Sequence, residues 1–194
     1  MEAPPLVVVV AGPNGAGKST TAPGLLRGAL AVSEFVNADT IARGLSAFRP
    51  ESVAMAAGRA MLTRLRDLAS AHESFAFETT LASRSFAPWL RKLKAEGYQT
   101  HVEFLSLTSS DLAVARVAAR VREGGHDVPE EVIRRRFTFG LVNFFSLYQP
   151  VVDSWQLVDN TDLAGPRMIA LKRPGGMLEV HDEDSWHHLM ELAR

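Results

Sequence analysis

Residues 12–19 read Gly-Pro-Asn-Gly-Ala-Gly-Lys-Ser, and residues 6–11 before them read Leu-Val-Val-Val-Val-Ala. The spacing fits G-x-x-x-x-G-K-[ST], in which a buried strand breaks into a glycine-rich turn that opens a helix. Such a turn points its N–H groups inward and makes an anion-binding nest at a helix N-terminus. The expected nucleotide-binding run is therefore Gly12, Pro13, Asn14, Gly15, Ala16, Gly17, Lys18, Ser19 and Thr20. Lys18 is expected to reach the β- and γ-phosphates, and the Ser19 hydroxyl to ligate Mg²⁺.

Two carboxylates follow at the ends of short apolar stretches. The segment Asn37-Ala38-Asp39 places an acid near the phosphate loop. A phosphoryl-transfer enzyme acting on a hydroxyl needs a group to position that hydroxyl and accept its proton, and Asp39 is the first choice. Two other roles compete: a Mg²⁺ partner through water, and a cap for a helix beginning at Thr40. The segment Phe77-Glu78-Thr79-Thr80 ends a second apolar run. Glu78 is expected to be partly buried, which is costly unless a cation or hydrogen-bond donors satisfy it. It is placed to orient a substrate hydroxyl, to serve the Mg²⁺ shell, or to cap the next turn. Thr79 adds a further hydrogen bond to substrate.

Arginines form the third group. Arg116 and Arg120 stand four apart on one helical face. The break Gly124-Gly125-His126 and then Arg134-Arg135-Arg136 follow. A lone helical arginine is ordinarily a solvated salt-bridge partner. Five of them around a glycine break read instead as a lid over about 116–140, bringing guanidinium groups to a transferring phosphate and excluding water. His126 lies in the same turn, within reach of phosphate.

These residues need a scaffold that gathers them at one edge. Strand-like stretches at 6–10, 34–37, 74–78, 101–107, 154–158 and 167–172 alternate with helix-like ones at 17–30, 52–70, 86–96, 111–122 and 129–145. A tail from 182 is also helical in pattern. Alternation of this kind implies an α/β fold, a three-layer sandwich in which a mainly parallel sheet of five to six strands is covered on both faces. Ligands then bind beyond the carboxyl ends of the strands, where every candidate above falls. The three tryptophans read as packing residues.

Composition agrees with one globular domain over 1–194. Hydrophobic content is 46% and charged content 22%, enough apolar material for a core. The net charge of −1 argues against general nucleic-acid binding or a membrane surface. With no cysteine, disulfides and cysteine-ligated zinc are excluded. The start, Met-Glu-Ala-Pro-Pro, lacks the positive charge of a secretory signal, and no apolar run is long enough to span a bilayer, so a cytoplasmic location is expected.

Taken together, A-G-P-N-G-A-G-K-S-T-T, F-V-N-A-D, F-A-F-E-T-T-L, R-V-A-A-R-V-R-E-G-G-H-D-V-P-E-E-V-I-R-R-R-F and L-V-D-N resemble the zeta toxin family over about residues 6–160. The likeness is greatest to its shorter members. The resemblance implies a P-loop kinase with an adenylate-kinase-like core that uses ATP and Mg²⁺. It also implies phosphorylation of UDP-N-acetylglucosamine, a toxin role, and restraint by a separate small antitoxin protein. Carried over, Lys18 is the P-loop lysine, Ser19 the Mg²⁺ ligand and Asp39 the catalytic aspartate. Glu78 and Thr79 form the substrate-binding acidic-threonine segment, and Arg120 is the lid arginine on the phosphates. By the same analogy Arg116 lies against the adenine, and Asp159 and Asn160 close the base pocket. Gly124-Gly125-His126 stands where the family pattern has a second lid arginine, so Arg135 or Arg136 takes that role. The further substrate-binding segments of longer members have no counterpart in this chain.

Two other functional classes use similar loops. Transporter-type ATPases need a Leu-Ser-Gly-Gly signature and a strand ending in Asp-Glu, and neither is present. A nucleotide-binding regulator without kinase activity would not depend on Asp39.

Overall fold

The computed structural model describes residues 3–125, 127–162 and 165–194. His126, singled out above, lies outside them. Four valines in succession, Val7 to Val10, are wholly buried within strand β1 (Leu6–Ala11). A β-branched run hidden on both faces is what the centre of a parallel sheet requires. β3 (Phe75–Thr79) pairs with it on one side and β4 (Gln99–Ser106) on the other. β2 (Glu34–Val36) flanks β3, and β5 (Ser154–Asp159) flanks β4, all parallel. Two antiparallel strands, β6 (Arg167–Lys172) and β7 (Leu178–Val180), close that edge. The order is β2-β3-β1-β4-β5-β6-β7, seven strands among the described residues rather than the expected five to six. β7 escapes sequence reading because three residues carry too little alternation to register.

The helices are α1 (Lys18–Arg27), α2 (Ala38–Leu45), α3 (Ala54–Ser70), α4 (Phe86–Ala95), α5 (Ser110–Arg122), α6 (Glu130–Asn143) and α7 (Glu183–Leu192). α1 contains Pro23 and stops at Arg27, three residues short of the expected end, with Gly28 after it. α2 is a helix the periodicity did not reveal. It is only eight residues long and contains Gly44, so it depends on its cap. A 3₁₀ turn (Pro50–Val53) joins it to α3. A π-helical turn (Phe144–Tyr148) continues α6, an irregularity often found near functional sites.

The core is aromatic on both flanks. Trp89 packs among Phe75, Phe77 and Phe86. Trp155 and Trp186 stack nearly parallel, 6.1 Å between ring centroids, and pin α7 to the sheet. α7 begins at Asp182, whose carboxylate caps it by accepting from Ser185 N. No helix among the described residues is long and apolar enough to cross a membrane.

The chain leaves β1 through α1 for β2 on one side of it, and later crosses from β3 through α4 to β4 on the other side. This reversal opens a crevice at the carboxyl ends of β1 and β3. The register sets Val10 beside Glu78 and Ala11 beside Thr79. Glu78 is thereby delivered to the edge of the glycine loop.

Candidate functional site

The loop after β1 has the conformation its glycines allow. Gly12 has φ +138°, and a Cβ there would lie 2.1 Å from the Leu105 carbonyl oxygen. Gly17 has φ +78°, and a Cβ there would meet Asn160 Nδ2 at 2.6 Å. Any side chain at either position would force the loop off β4 or off the segment after β5.

Lys18 opens α1 and is buried, 6% exposed. Its Nζ donates to the carbonyl oxygens of Gly12 and Pro13, each at 2.9 Å, and lies 3.8 Å from Glu78 Oε1. Burial pulls its ammonium below the ordinary lysine value. Glu78 and Asp39 oppose that pull, and Arg120 and Arg136 add to it. Glu78, 12% exposed, is fully engaged: Oε2 accepts from Ser19 Oγ at 2.8 Å and from Asn37 Nδ2 at 2.7 Å. Its partners are Lys18 and Ser19 at the loop and Asn37 before α2, and not the following turn. That turn is closed instead by Thr79, whose Oγ1 accepts from Leu81 N.

Asn37 is the residue in this segment that sequence reasoning missed. Its Oδ1 accepts from Asp39 N at 2.7 Å and Thr40 N at 3.1 Å, so Asn37 caps α2 while its amide donates to Glu78. Asp39 is therefore not a cap. The helix begins at Ala38, and Asp39 sits in its first turn at the cavity wall. The preference of asparagine for the cap position is the signal that could have found it.

One cavity of about 770 Å³ joins these groups. Lys18, Ser19, Glu78 and Asp39 line it, together with Arg116, Arg120 and Arg136. The arginines thus divide. Arg136 donates to Asn14 Oδ1 across 3.4 Å, and burial lowers its pKa while Asp39 opposes the shift. Arg134 turns outward to Asp111 and Glu130, and Arg135 is exposed and does not line the cavity. Gly125, in the turn between α5 and α6, packs on Arg120, where a Cβ would lie 2.5 Å from Cγ.

Arg116 behaves differently from an open adenine platform. Its guanidinium donates to the carbonyl oxygens of Asn160 (2.8 Å), Thr161 (2.5 Å) and Gly15 (3.4 Å). Asn160 Nδ2 in turn donates to Ala16 O at 2.8 Å. Together they tie the segment after β5 to the phosphate loop, and Asn160 itself does not line the cavity. Asp159 is buried, accepting from Arg167 and from Thr161 N.

The donor set suits a hard divalent cation. Ser19 Oγ and a Glu78 oxygen already share one hydrogen bond, and Mg²⁺ takes one or two protein oxygens with the rest from phosphate and water. Among the described residues no cluster of three or more His, Asp or Glu could hold a metal alone.

Comparison with known proteins agrees with this architecture. An uncharacterized protein of Haemophilus influenzae is 29% identical over 128 residues, 65% of this chain and 88% of that protein. The crystal structure of AvrRxo1-ORF1:-ORF2 with ATP superposes with a TM-score of 0.75 at 16% identity. The match covers 96% of this chain, which spans only 64% of that one. A structure from the PezAT chromosomal toxin-antitoxin system of Streptococcus pneumoniae gives a TM-score of 0.61 at 16% identity, covering 80% of this chain and 67% of that one. At these identities the likeness is one of fold, the P-loop kinase-like α/β sandwich. Residues 7–137, from β1 into α6, match the AAA_33 family of AAA domains, and the chain belongs to that family.

Proposed function

We propose that the chain is an ATP-dependent kinase that transfers the γ-phosphoryl group to a hydroxyl of a small molecule. The observation that carries this reading is that Lys18, Ser19, Asp39 and Glu78 line one cavity. A loop that only bound nucleotide would need no second carboxylate beside Glu78 in that cavity. The ATP-bound neighbour of the same fold supports the choice of nucleotide.

In this reading the loop amides hold the triphosphate, and Lys18 exchanges Gly12 O and Pro13 O for phosphate oxygens. Ser19 and Glu78 would hold Mg²⁺, whose charge would offset that of the phosphates. The acceptor oxygen attacks the γ-phosphorus, the bond to the ADP oxygen breaks, and the hydroxyl proton passes to Asp39. Arg120 and Arg136 stabilise the charge on the transferring group. The turn between α5 and α6 closes over it as a lid. Arg116 and Asn160 hold the base side of the site together, and Thr79 shapes the turn that presents Glu78. Arg135 lies outside the cavity and takes no part.

In this reading the acceptor is a UDP-N-acetyl sugar or a similar small molecule, and the chain is the toxin of a toxin–antitoxin pair held in check by a separate protein in the cytoplasm. Likeness to the PezAT structure and the motif resemblance support this. Incubating the protein with γ-labelled ATP, Mg²⁺ and UDP-N-acetylglucosamine tests it. Label in the sugar is expected, and label released only as inorganic phosphate would overturn it.

A further inference from the structure

α6 meets the turn after β3 along one stripe. Arg136, Gly140 and Asn143 stand four and then three residues apart, so they share a helical face. Gly140 packs on Thr80, where a Cβ would lie 2.5 Å from the carbonyl oxygen. Asn143 is buried, and its Nδ2 donates to Leu81 O at 2.7 Å. Tyr148 donates to Ser83 O. Residues five apart on an α-helix point about 140° from each other. The π-helical turn, with Gln149 N donating to Phe144 O, is wider and brings Asn143 and Tyr148 to the same loop.

The turn held in this way is strained. Leu81 is wholly buried and has φ +55°, a left-handed conformation that a bulky side chain rarely takes. Such outliers persist only where their surroundings over-determine them, and they gather at functional sites. This one follows directly on Glu78 and Thr79, which β3 holds in register with β1. At the other end of the stripe Arg136 lines the cavity and reaches Asn14 of the phosphate loop.

We propose that Asn143 is a positioning residue: it fastens α6 to the strained turn after β3 and so sets where Arg136 stands against the terminal phosphate of ATP. This rests on the role given to Arg136 above and names the residue that governs it. Asn143 does not line the cavity and acts only through the helix. Seven residues of helix span about 10 Å, so a tilt of about 6° at Asn143 moves Arg136 by about 1 Å. A charged hydrogen bond does not survive that displacement.

An asparagine that merely satisfied the Leu81 carbonyl would make the same contact, so the test reads the terminal phosphate. Calorimetric titration of the full chain with ATP and with ADP, Mg²⁺ present, gives the ratio of the two affinities and needs no acceptor. Arg136→Gln is expected to lower that ratio about tenfold, the loss of one charge-assisted contact. Asn143→Leu keeps the side chain's size and removes its donor. It should lower the ratio about fivefold, leave ADP affinity within about twofold, and add nothing further beside Arg136→Gln. If Asn143→Leu does not fold, Tyr148→Phe, which takes one hydroxyl from the same attachment, decides with an expected fall of about threefold. An unmoved ratio, ATP and ADP affinities that fall together, or an Asn143→Leu effect that persists in full beside Arg136→Gln would overturn the proposal. The kinase reading fails separately. A protein that shows these shifts but labels no acceptor refutes that reading alone, and one that labels the sugar with the ratio unmoved refutes only the role of Asn143.

Discussion

Ser19 and Glu78 stand 59 residues apart in sequence and meet across 2.8 Å, the serine hydroxyl donating to the carboxylate. The contact joins the first residues of α1 to the end of β3. It exists because β3 lies beside β1 in register. The two oxygens of this pair are the natural seat for a divalent cation that bridges to phosphate. Ser19→Ala is therefore expected to abolish the gain in ATP affinity that Mg²⁺ confers, as read by calorimetric titration with and without the cation. Glu78→Gln should lower kcat/KM about 10²–10³-fold, the cost of losing one preorganised charge in a closed site. ATP affinity that still rises with Mg²⁺ in both variants would place the cation elsewhere.

Asn37 links two tasks through one amide group, capping α2 and donating to Glu78. Substitutions can separate them. Asn37→Ala should cost about 1 kcal/mol of stability from the cap, and turnover should fall about 10²-fold as Glu78 loses its anchor. Asn37→Ser keeps a capping oxygen but does not reach Glu78, so urea unfolding should recover while turnover does not. Parallel recovery of both would mean that Asn37 acts only as a cap.

Much of this site was legible in advance, and the reasons are local. The glycine spacing and the valine run announce the loop and its strand because each depends on a few adjacent residues. Asp39 and Glu78 stand out as acids at strand ends, and the parallel order brings them to the same crevice. Other features depend on pairings across the chain. Arg116 gives no sign in sequence that its guanidinium is occupied by the carbonyl oxygens of residues 160 and 161. Arg134, Arg135 and Arg136 look alike, yet successive residues on a helix point about 100° apart, and only Arg136 faces the cavity. α2 and β7 are too short to show a period, and they form because Asn37 caps one and β6 pairs with the other.

Tyr148 ends the π-helical turn and donates its hydroxyl to Ser83 O at 2.7 Å, holding the loop that follows β3. Burial pushes its pKa up to about 12 from an ordinary 10.0, while the backbone amides of Phe86 and Ala87 pull the other way. The folded state thus keeps a proton that the unfolded chain has lost between those values. The stability tied to this proton is intact below about pH 10 and falls as pH rises towards about 12. Tyr148→Phe should lose about 1 kcal/mol near neutrality. Its unfolding midpoint in urea should also decline less steeply than that of unaltered protein above about pH 10. Equal slopes would show that the Tyr148 hydroxyl ionises alike in both states.

Asp39 is the residue on which the proposed chemistry turns, because it lines the same cavity as Lys18, its charge acts on the Lys18 ammonium, and Asn37 rather than Asp39 caps α2. The most direct measurement compares Asp39→Ala with the unaltered protein in two assays: ATP binding by titration, and transfer of the γ-phosphoryl group to UDP-N-acetylglucosamine. The account predicts ATP affinity within about twofold, because the loop amides and Lys18 carry it, and transfer reduced about 10²–10⁴-fold. Transfer that survives the substitution, or ATP binding that is lost with it, would contradict the assignment of Asp39 as the base.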